Sequence, residues 1–452
     1  MSAESLGTTA WTRLLALMAR MASPVILASL TQTLMGLVDT LMIGRLGTAA
    51  IAAVGIATLL FSTLATGLRS LDVAVQVITA RRDGAGRCAE VGAVLGTGLA
   101  LVLAAGAAAT LACWRWPALG MRLVSPDPEV VALGAAYFQV RGLGLLPFVC
   151  YFLVRACFDG LGQTRIGMLT GVGMNVLNVV LNWVLIFGHF GAPALGVRGA
   201  ALASVLASAV AAGAILAVAL RPALRRRYRL LARGSVRRDL ILPLLRIGWP
   251  PALQATGLIG GLVLFTMILG QVSTVAVAAG NIVLRIAALT LMAAVGVGVV
   301  VQTLVSRSLG ARDLRGAWRS GLAGLVLAGG LMAAVGLPML LWPDALLATF
   351  AVEPPVLAAG RQILRLTAFV QMAAAVSLAF AGALRGAGAM QRVLLVDLAT
   401  GVLCLLPLAW LFAVTAGGGL LGAWWALVAW LLVHAAWMTR LFFAKRWLST
   451  RI

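Results

Sequence analysis

The sequence predicts an all-α integral membrane protein with twelve transmembrane helices in two six-helix bundles. Hydrophobic residues make up 62% and charged residues 11% of the 452-residue chain, whereas about 25% of the residues in a soluble domain are charged. Apolar stretches of about 20 residues, long enough to cross a bilayer, recur along the chain. Because the alternating pattern of a membrane β-barrel is missing, we expect these stretches to be helices.

Twelve segments account for the spans in chain order. Almost no charge interrupts stretches such as 88–112 and 197–220. The first apolar run leads straight into a long helix without a small-residue cleavage site, so we expect it to be retained as a span. The predicted helices are 14–44, 48–80, 88–112, 130–154, 162–187, 197–220, 240–268, 275–305, 316–341, 354–382, 390–413 and 420–440.

The net charge of +22 comes from arginines that gather in alternate connections. Eight lie between Arg221 and Arg238, whereas the opposite connections hold only Arg45, Arg115, Arg122 and Arg198. This is the positive-inside pattern of a multi-pass protein with both termini in the cytoplasm. It predicts a bacterial cytoplasmic (inner) membrane protein and explains the basicity without a nucleic-acid partner. The five cysteines lack metal-ligand spacing, so we expect neither a metal nor a cofactor.

The chain also reads as a tandem repeat, because a shift of half its length superposes matching residues without a gap. The offset pairs residues that include Pro24 with Pro250, Gln76 with Gln302, Pro128 with Pro354, Gly160 with Gly386 and Gly162 with Gly388. We predict an N-terminal lobe (1–220), a cytoplasmic Arg-rich linker (221–239) and a C-terminal lobe (240–452). Six spans per copy make the repeats parallel, and a central cleft between them would suit alternating access.

Ionisable side chains inside spans are the first candidates for function, because burying a charge in hydrocarbon is costly. Asp72 follows Arg69 by three residues and can pair with it on one helix face. Asp397 lies near Arg392 at the end of its span, which favours anchoring or pairing. Asp39 has no such neighbour in sequence. A lone acid there can carry a proton and attract a cation, unless it pairs with an arginine of another helix.

The fifth span adds Asn175, Asn178 and Asn182, of which the last two lie one turn apart on one face. These amides can complete a polar pocket or simply hydrogen-bond a neighbouring helix. Gln32 and Thr33 precede Asp39 by about two turns and are predicted to line the same cavity. The second lobe offers Gln254 and Gln271 without an acidic neighbour in sequence.

Four stretches of the first lobe form recognisable motifs, and the second half repeats the later ones more faintly, as FAVEPPV and ALRGAGAMQR. The stretches of the first lobe are VDTLMIGRLGTAAIAAVGIA (38–57), SPDPEVVALGAAYFQVRGLG (125–144), FDGLGQTR (158–165) and LGVRGAALAS (195–204). They resemble segments of the multidrug and toxic compound extrusion (MATE) transporters, and the DinF-like branch is the most similar. The resemblance covers nearly the whole chain and is specific in the first lobe.

This resemblance implies a V-shaped exporter that exchanges organic cations for protons or sodium ions. Asp39 matches the family's coupling acid in the first helix, and Asn178 matches an asparagine of its fifth-helix cluster. Asn182 departs from the family, because many relatives carry an aspartate there. An amide cannot titrate, so the resemblance favours proton coupling through Asp39 over sodium coupling.

The leading hypothesis is therefore a monomeric secondary active exporter of amphipathic, cationic compounds, embedded in lipid and driven by inward proton flow. One alternative is a flippase for lipid-linked precursors, which needs several arginines in its cleft. The candidates for that role are Arg69, Arg141, Arg285, Arg361 and Arg365. A membrane-embedded enzyme is the other alternative, but the two histidines, His189 and His434, are isolated from any cluster of catalytic residues in the sequence.

Overall fold

The computed structural model describes residues 3–232, 234–350 and 353–450, and helices account for most of them. Arg233 and Arg451, two of the basic residues in the predicted connections, lie outside the described residues. No strand occurs in the described part of the chain. Eleven helices there are long and apolar enough to cross a membrane, and a bent helix pair counted as one span gives twelve. The predicted all-helical, twelve-span fold class is thus confirmed.

Packing divides the chain into two compact units. The N unit is Leu27–Ala252, and the C unit combines the chain up to Ile26 with the chain from Leu253 onward. The helices of the N unit are α1 (Ala3–Gly44, from Leu27 on), α2 (Thr48–Gly84), α3 (Val91–Arg115), α4 (Pro117–Val124), α5 (Pro128–Leu143), α6 (Leu145–Gly160), α7 (Thr164–Phe187), α8 (Gly196–Ala219), α9 (Pro222–Tyr228) and the start of α10 (Ile241–Val272). The C unit adds the start of α1, the rest of α10, α11 (Thr274–Gly310), α12 (Leu314–Leu341), α13 (Pro343–Ala348), α14 (Pro354–Gly386), α15 (Met390–Thr400), α16 (Leu406–Trp410) and α17 (Gly419–Phe443).

These units differ from the predicted lobes, 1–220 and 240–452, in the first helix of each repeat. The first part of α1 belongs to the C unit because Met18, Met21 and Ala22 are buried in the same apolar core as Val301 and Phe380. The first part of α10 belongs to the N unit. Both changes of unit fall two residues beyond a proline inside the helix, Pro24 in α1 and Pro250 in α10.

The predicted linker, 221–239, is part of the N unit and packs on α3. The backbone N–H of Arg237 donates to Thr97 Oγ1 at 2.9 Å. A Cβ on Gly92 would collide with the carbonyl oxygen of Arg229, so the absence of a side chain at Gly92 allows this close approach. The linker is therefore seated against the bundle.

The fourth span differs from the prediction of one helix over 130–154. The structure has two helices here, α5 and α6, which meet at Gly144 with a bend of 46°. Pro147 lies in the first turn of α6 and lacks the N–H that would continue the hydrogen bonds of α5. The bend follows from this missing donor.

The repeat is present in the three-dimensional structure. A Cβ on Gly160 would lie 2.6 Å from the carbonyl oxygen of Gln76, where α6 crosses α2, and a Cβ on Gly386 would collide with the carbonyl oxygen of Gln302, where α14 crosses α11. The sequence offset pairs the same residues. Gly162 and Gly388 also share a left-handed backbone, with φ of 75° and 86°. Small residues at such crossings let two helix backbones approach closely.

Candidate functional site

Asp39 lies on the part of α1 that belongs to the N unit, facing α7. Asn182 Nδ2 donates to Asp39 Oδ1 at 2.5 Å, and the Asn182 side chain is almost fully buried. The other end of this amide, Oδ1, is buried without a hydrogen-bond partner among the described residues. The Asn182 amide therefore donates to the carboxylate through its nitrogen, and its oxygen is still available to accept a hydrogen bond.

Asn178, one turn before Asn182, completes this group in either of two orientations of its amide. In one orientation Oδ1 accepts from Asn182 Nδ2 and Nδ2 donates to Ser204 Oγ on α8, both at 3.1 Å. In the other orientation Nδ2 donates to Asp39 Oδ1 at 3.0 Å, while Oδ1 accepts from the N–H and the hydroxyl of Ser204. We call Asp39, Asn178, Asn182 and Ser204 the Asp39 cluster.

Arg141 on α5 is the cation that acts on the Asp39 cluster. Its guanidinium is buried and lies 3.9 Å from the centroid of the Phe61 ring. It interacts electrostatically with the Asp39 carboxylate, yet the two groups do not form an ion pair within the described structure. The arginine partner considered for Asp39 thus exists, but it acts at longer range than a salt bridge.

A second polar layer lies about two turns along α7 from Asn182. Asn175 Nδ2 donates to Thr31 Oγ1 on α1 at 3.1 Å. The Oδ1 of Asn175 is buried without a partner among the described residues, as is the Oδ1 of Asn182. The interface of α1 and α7 therefore presents two available amide oxygens.

Thr33 and Gln32, which were predicted to line the same cavity as Asp39, form no hydrogen bond with the asparagines of α7 in the described structure. Thr33 is exposed, and its hydroxyl donates to the carbonyl of Ser29 in its own helix at 3.1 Å. Six residues separate Thr33 from Asp39, which places it about 120° away around α1, so it does not belong to the cluster. Gln32 is half-buried and forms no hydrogen bond with the described residues of the cluster.

A four-charge group lies elsewhere in the N unit, between α2 and α6. Arg69 pairs with Asp72 at 3.1 Å, as their spacing indicates, and Arg155 pairs with Asp159 at 3.6 Å. The Arg69 guanidinium also lies 3.6 Å from the centroid of the Phe152 ring. Two positive and two negative charges balance here, which is typical of a structural ion-pair network.

The C unit contains a polar group that the sequence analysis missed. His434 on α17 contacts Asp397 Oδ1 on α15 at 2.6 Å through Nε2, and Ser377 Oγ on α14 at 3.0 Å through Nδ1. Gln254 Nε2 on α10 donates to Asp397 Oδ2, and Arg385 Nη2 donates to Gln254 Oε1 at 3.1 Å. We call these five residues the His434 cluster.

This cluster corrects two expectations. Asp397 pairs with His434 and not with Arg392, and Gln254 does have an acidic neighbour. Sequence spacing could not show this, because the partners come from four different helices. An ionisable residue inside each of two spans, Asp397 and His434, was the available signal.

A duplicated bundle of membrane-spanning helices, with a carboxylic acid held among amides inside one unit, defines a multi-pass membrane transporter. The MatE family model matches residues 24–184 and 256–411, one stretch in each repeat and together more than half of the chain. The chain therefore belongs to the MatE family, the MATE transporters.

Relatives and solved structures agree with this assignment. The probable multidrug resistance protein NorM of Deinococcus radiodurans is 30% identical, over 94% of this chain and 94% of its own length. The multidrug resistance protein PmpM of Pseudomonas aeruginosa is 28% identical, over 81% and 77%. The Vibrio cholerae MATE transporter VcmN in its bent form matches with a TM-score of 0.89 at 18% identity, over 97% and 99% of the two chains, which shows a shared fold.

The comparisons confirm the family resemblance and, with it, a multidrug efflux transporter that is not an enzyme. They also confirm a multi-pass membrane protein. The DinF-like branch, the coupling ion and the roles of individual residues stay predictions.

Proposed function

We propose that this transporter is an antiporter that exports amphipathic organic cations and is driven by inward proton flow through Asp39, with alternating access. The proposal includes the bacterial cytoplasmic membrane, cytoplasmic termini and a monomer in lipid, with no cofactor and no nucleic-acid partner. The arginine asymmetry of the connections supports the orientation. The multidrug resistance names of the relatives support the substrate class.

The observation that carries the proposal is the pairing of Asp39 with Asn182. An ionised carboxylate only accepts hydrogen bonds, and Asn182 Nδ2 supplies a donor to it. A protonated carboxyl group must donate one, and Asn182 Oδ1 is a buried acceptor without a partner among the described residues. By turning its amide over, the same neutral side chain can therefore serve both protonation states of Asp39, as a proton carrier requires.

A proton fits this cluster better than a sodium ion does. Hard cations bind where several oxygen ligands, usually including carboxylates, surround them. Asp39 is the one carboxylate of the cluster, and its partners are neutral amides and a hydroxyl. The buried Arg141 acts on the same carboxylate and would repel a metal ion held there. A bound proton removes the negative charge without adding a positive one.

Exchange follows if the proton and the organic cation compete for Asp39. The ionised carboxylate attracts a cationic substrate, and protonation abolishes that attraction. Inward proton flow would then release the substrate on the outer side.

A lipid-linked precursor flippase fits the described structure less well. A diphosphate headgroup needs several arginines that are free to donate to it. Arg69 is paired with Asp72, and Arg361 is paired with Asp344 at 2.7 Å. Two of the five candidate arginines are therefore already engaged by carboxylates.

Transport by Asp39→Asn in proteoliposomes tests the proposal. We expect uptake of an organic cation driven by a pH gradient to fall at least about tenfold, because the amide cannot carry a proton. Asp313→Asn is the matched control. Asp313 caps α12 through a bond to the N–H of Gly316, and asparagine caps a helix equally well.

Thermal melting of both variants separates coupling from folding. Coupled transport by Asp39→Asn at the rate of the unaltered protein would overturn the proposal. So would a loss of transport that tracks a loss of folded protein, since Asp39 would then be a structural partner of Arg141.

A further inference from the structure

The His434 cluster is a second buried titratable group, and it lies in the C unit, outside the Asp39 cluster. The His434 side chain is 9% exposed, whereas the Asp397 side chain is 21% exposed. Both ring nitrogens of His434 have partners, Asp397 at Nε2 and Ser377 at Nδ1. The ring is thus buried, and the carboxylate is partly exposed.

Ser377 lets the imidazole change its charge without losing a hydrogen bond. With Nε2–H donating to Asp397, a neutral ring has Nδ1 as an acceptor, and the Ser377 hydroxyl donates to it. When a proton binds to Nδ1, the ring donates there instead and the same hydroxyl oxygen accepts. The serine hydrogen can then turn to a carbonyl one turn back in α14. Both states are satisfied at the same atom positions.

Two further polar side chains act on Asp397 besides His434. Gln254 on α10 donates to its second oxygen. Arg385 on α14 interacts with it electrostatically and orients Gln254 through a further hydrogen bond. Helix α11 also packs against α17. Among the described residues, none of its titratable side chains contacts His434 or Asp397. The charges facing His434 are therefore one carboxylate and, beyond it, one guanidinium.

The repeat shows that the fold itself does not require this cluster. The offset of half the chain length places Ala28, Tyr151, Gly171 and Ser208 at the positions of Gln254, Ser377, Asp397 and His434. Three of these residues do meet in space in the N unit, because a Cβ on Gly171 would lie 3.0 Å from Tyr151 Oη and 4.0 Å from Ala28 Cβ. The same helix crossing thus forms in the N unit without an acid at the position of Asp397 and without a histidine at the position of His434, although the position of Arg385 holds Asp159 there.

The two polar clusters are therefore not copies of each other. The C-unit positions that correspond to Asp39, Asn178 and Asn182 are Phe265, Cys404 and Leu408. Asp39 and the Asp397–His434 pair therefore lie at different places in the shared fold.

The span that carries Asp397 is irregular next to it. After α15 ends at Thr400, the chain forms π-helical segments at Gly401–Leu405 and Leu411–Thr415, with α16 between them. Trp430 Nε1 on α17 donates to Thr400 Oγ1 at 3.1 Å, which ties this junction to the helix of His434. Such π-helical turns often occur at functional sites.

We propose that the Asp397–His434 pair is a second proton-binding site, which takes up one proton on His434 Nδ1 while Asp397 stays a carboxylate. The site goes beyond the proposed function, because it lies in the other unit and does not depend on Asp39. Uptake adds one positive charge beside the π-helical part of this span. Nε2 keeps its hydrogen throughout, so the proton comes from solvent alone.

Histidine NMR on the purified full-length protein tests this directly. Because the chain contains two histidines, ring labelling with ¹³C and ¹⁵N gives two sets of signals, and His434→Gln assigns them. The ring signals are followed from about pH 8 to about pH 5, the range in which histidines commonly change charge, and the proposal requires one step from the neutral to the cationic ring of His434. Asp397→Asn should lose that step within the same range. The control His189→Gln removes the histidine stacked on Trp183 and should leave the step unchanged.

Ser377→Ala provides a second variant in case Asp397→Asn does not fold, and it should also alter the step. A His434 ring that stays neutral over the whole range would overturn the proposal. A protonation step of His434 that is unchanged in both Ser377→Ala and Asp397→Asn would also overturn the proposal. The step should persist in Asp39→Asn, so a failure of the coupling role of Asp39 and a failure of this site give different results.

Discussion

At the scale of single residues, buried amides determine what each acid can do. Asn182 is a neutral donor and acceptor next to Asp39, so the cluster can exchange a proton while holding one negative charge at most. The sequence alone indicated Asp39 and the asparagines of α7, because polar residues are conspicuous in apolar helices. It could not show that Arg141 acts on Asp39 or that the residues of the His434 cluster meet, because those contacts join helices far apart in the chain.

A second carboxylate beside Asp39 should change the coupling ion. We expect Asn182→Asp to make transport depend on sodium, because two carboxylates offset Arg141 and supply the charged oxygen ligands that a hard cation prefers. The measurement is uptake driven by a sodium gradient at equal pH on both sides.

The control is Asn281→Asp, the same change at a half-buried asparagine of α11 that donates to the carbonyl of Val277. Uptake by this control variant should not be driven by a sodium gradient. If Asn182→Asp transports as the unaltered protein does, and without sodium, the amide at this position does not set the choice of ion.

At the scale of helices, apolar length predicted the spans well, since hydrocarbon thickness fixes how long each helix must be. The bend between α5 and α6 was missed, although Pro147 is its physical cause. A proline can continue, kink or end a membrane helix, and the outcome depends on neighbours that satisfy the freed carbonyl groups. The sequence offset paired Gly160 with Gly386, but it did not show that these glycines lie where two helices cross closely.

The crossing of α14 and α11 should tolerate no side chain at Gly386. Gly386→Ala puts a methyl group against the Gln302 carbonyl, and overpacking of this kind costs about 1–3 kcal/mol. We expect a lower melting temperature in detergent, followed by tryptophan fluorescence.

Gly330→Ala on α12 is the matched control, because a Cβ there meets nothing within 4 Å. Alanine favours a helix over glycine, so this variant should melt at or above the temperature of the unaltered protein. Equal melting of the two variants would show that the crossing relaxes without cost.

At the scale of the whole molecule, duplication explains the fold but not the distribution of charge. Gly160 with Gln76 and Gly386 with Gln302 repeat one crossing in both units. The Asp39 and His434 clusters, by contrast, occupy non-equivalent positions. Sequence comparison of the two halves recovers what packing preserves, and misses what each half has gained separately.

The orientation of the chain can be tested with single cysteines. Arg226, in the arginine-rich linker, and Phe190, after α7, are both exposed. If the termini are cytoplasmic, a membrane-impermeant thiol reagent should label Phe190→Cys in intact cells and Arg226→Cys only after permeabilisation. The reverse pattern would invert the assigned topology. Of the five native cysteines, three are buried and two half-buried, and the protein without added cysteines gives the background.

The first part of α1 belongs to the C unit, and the first part of α10 belongs to the N unit. This division affects the order in which the chain can fold during synthesis. The ribosome produces Met18, Met21 and Ala22 before the N unit, but the helices of the C unit that bury them come after residue 253. That segment must wait through the synthesis of the entire N unit, and contacts so distant in sequence are slow to form. Cutting the chain in the linker would give two fragments, each carrying the opening segment that the other needs. Neither fragment could then complete its own bundle alone.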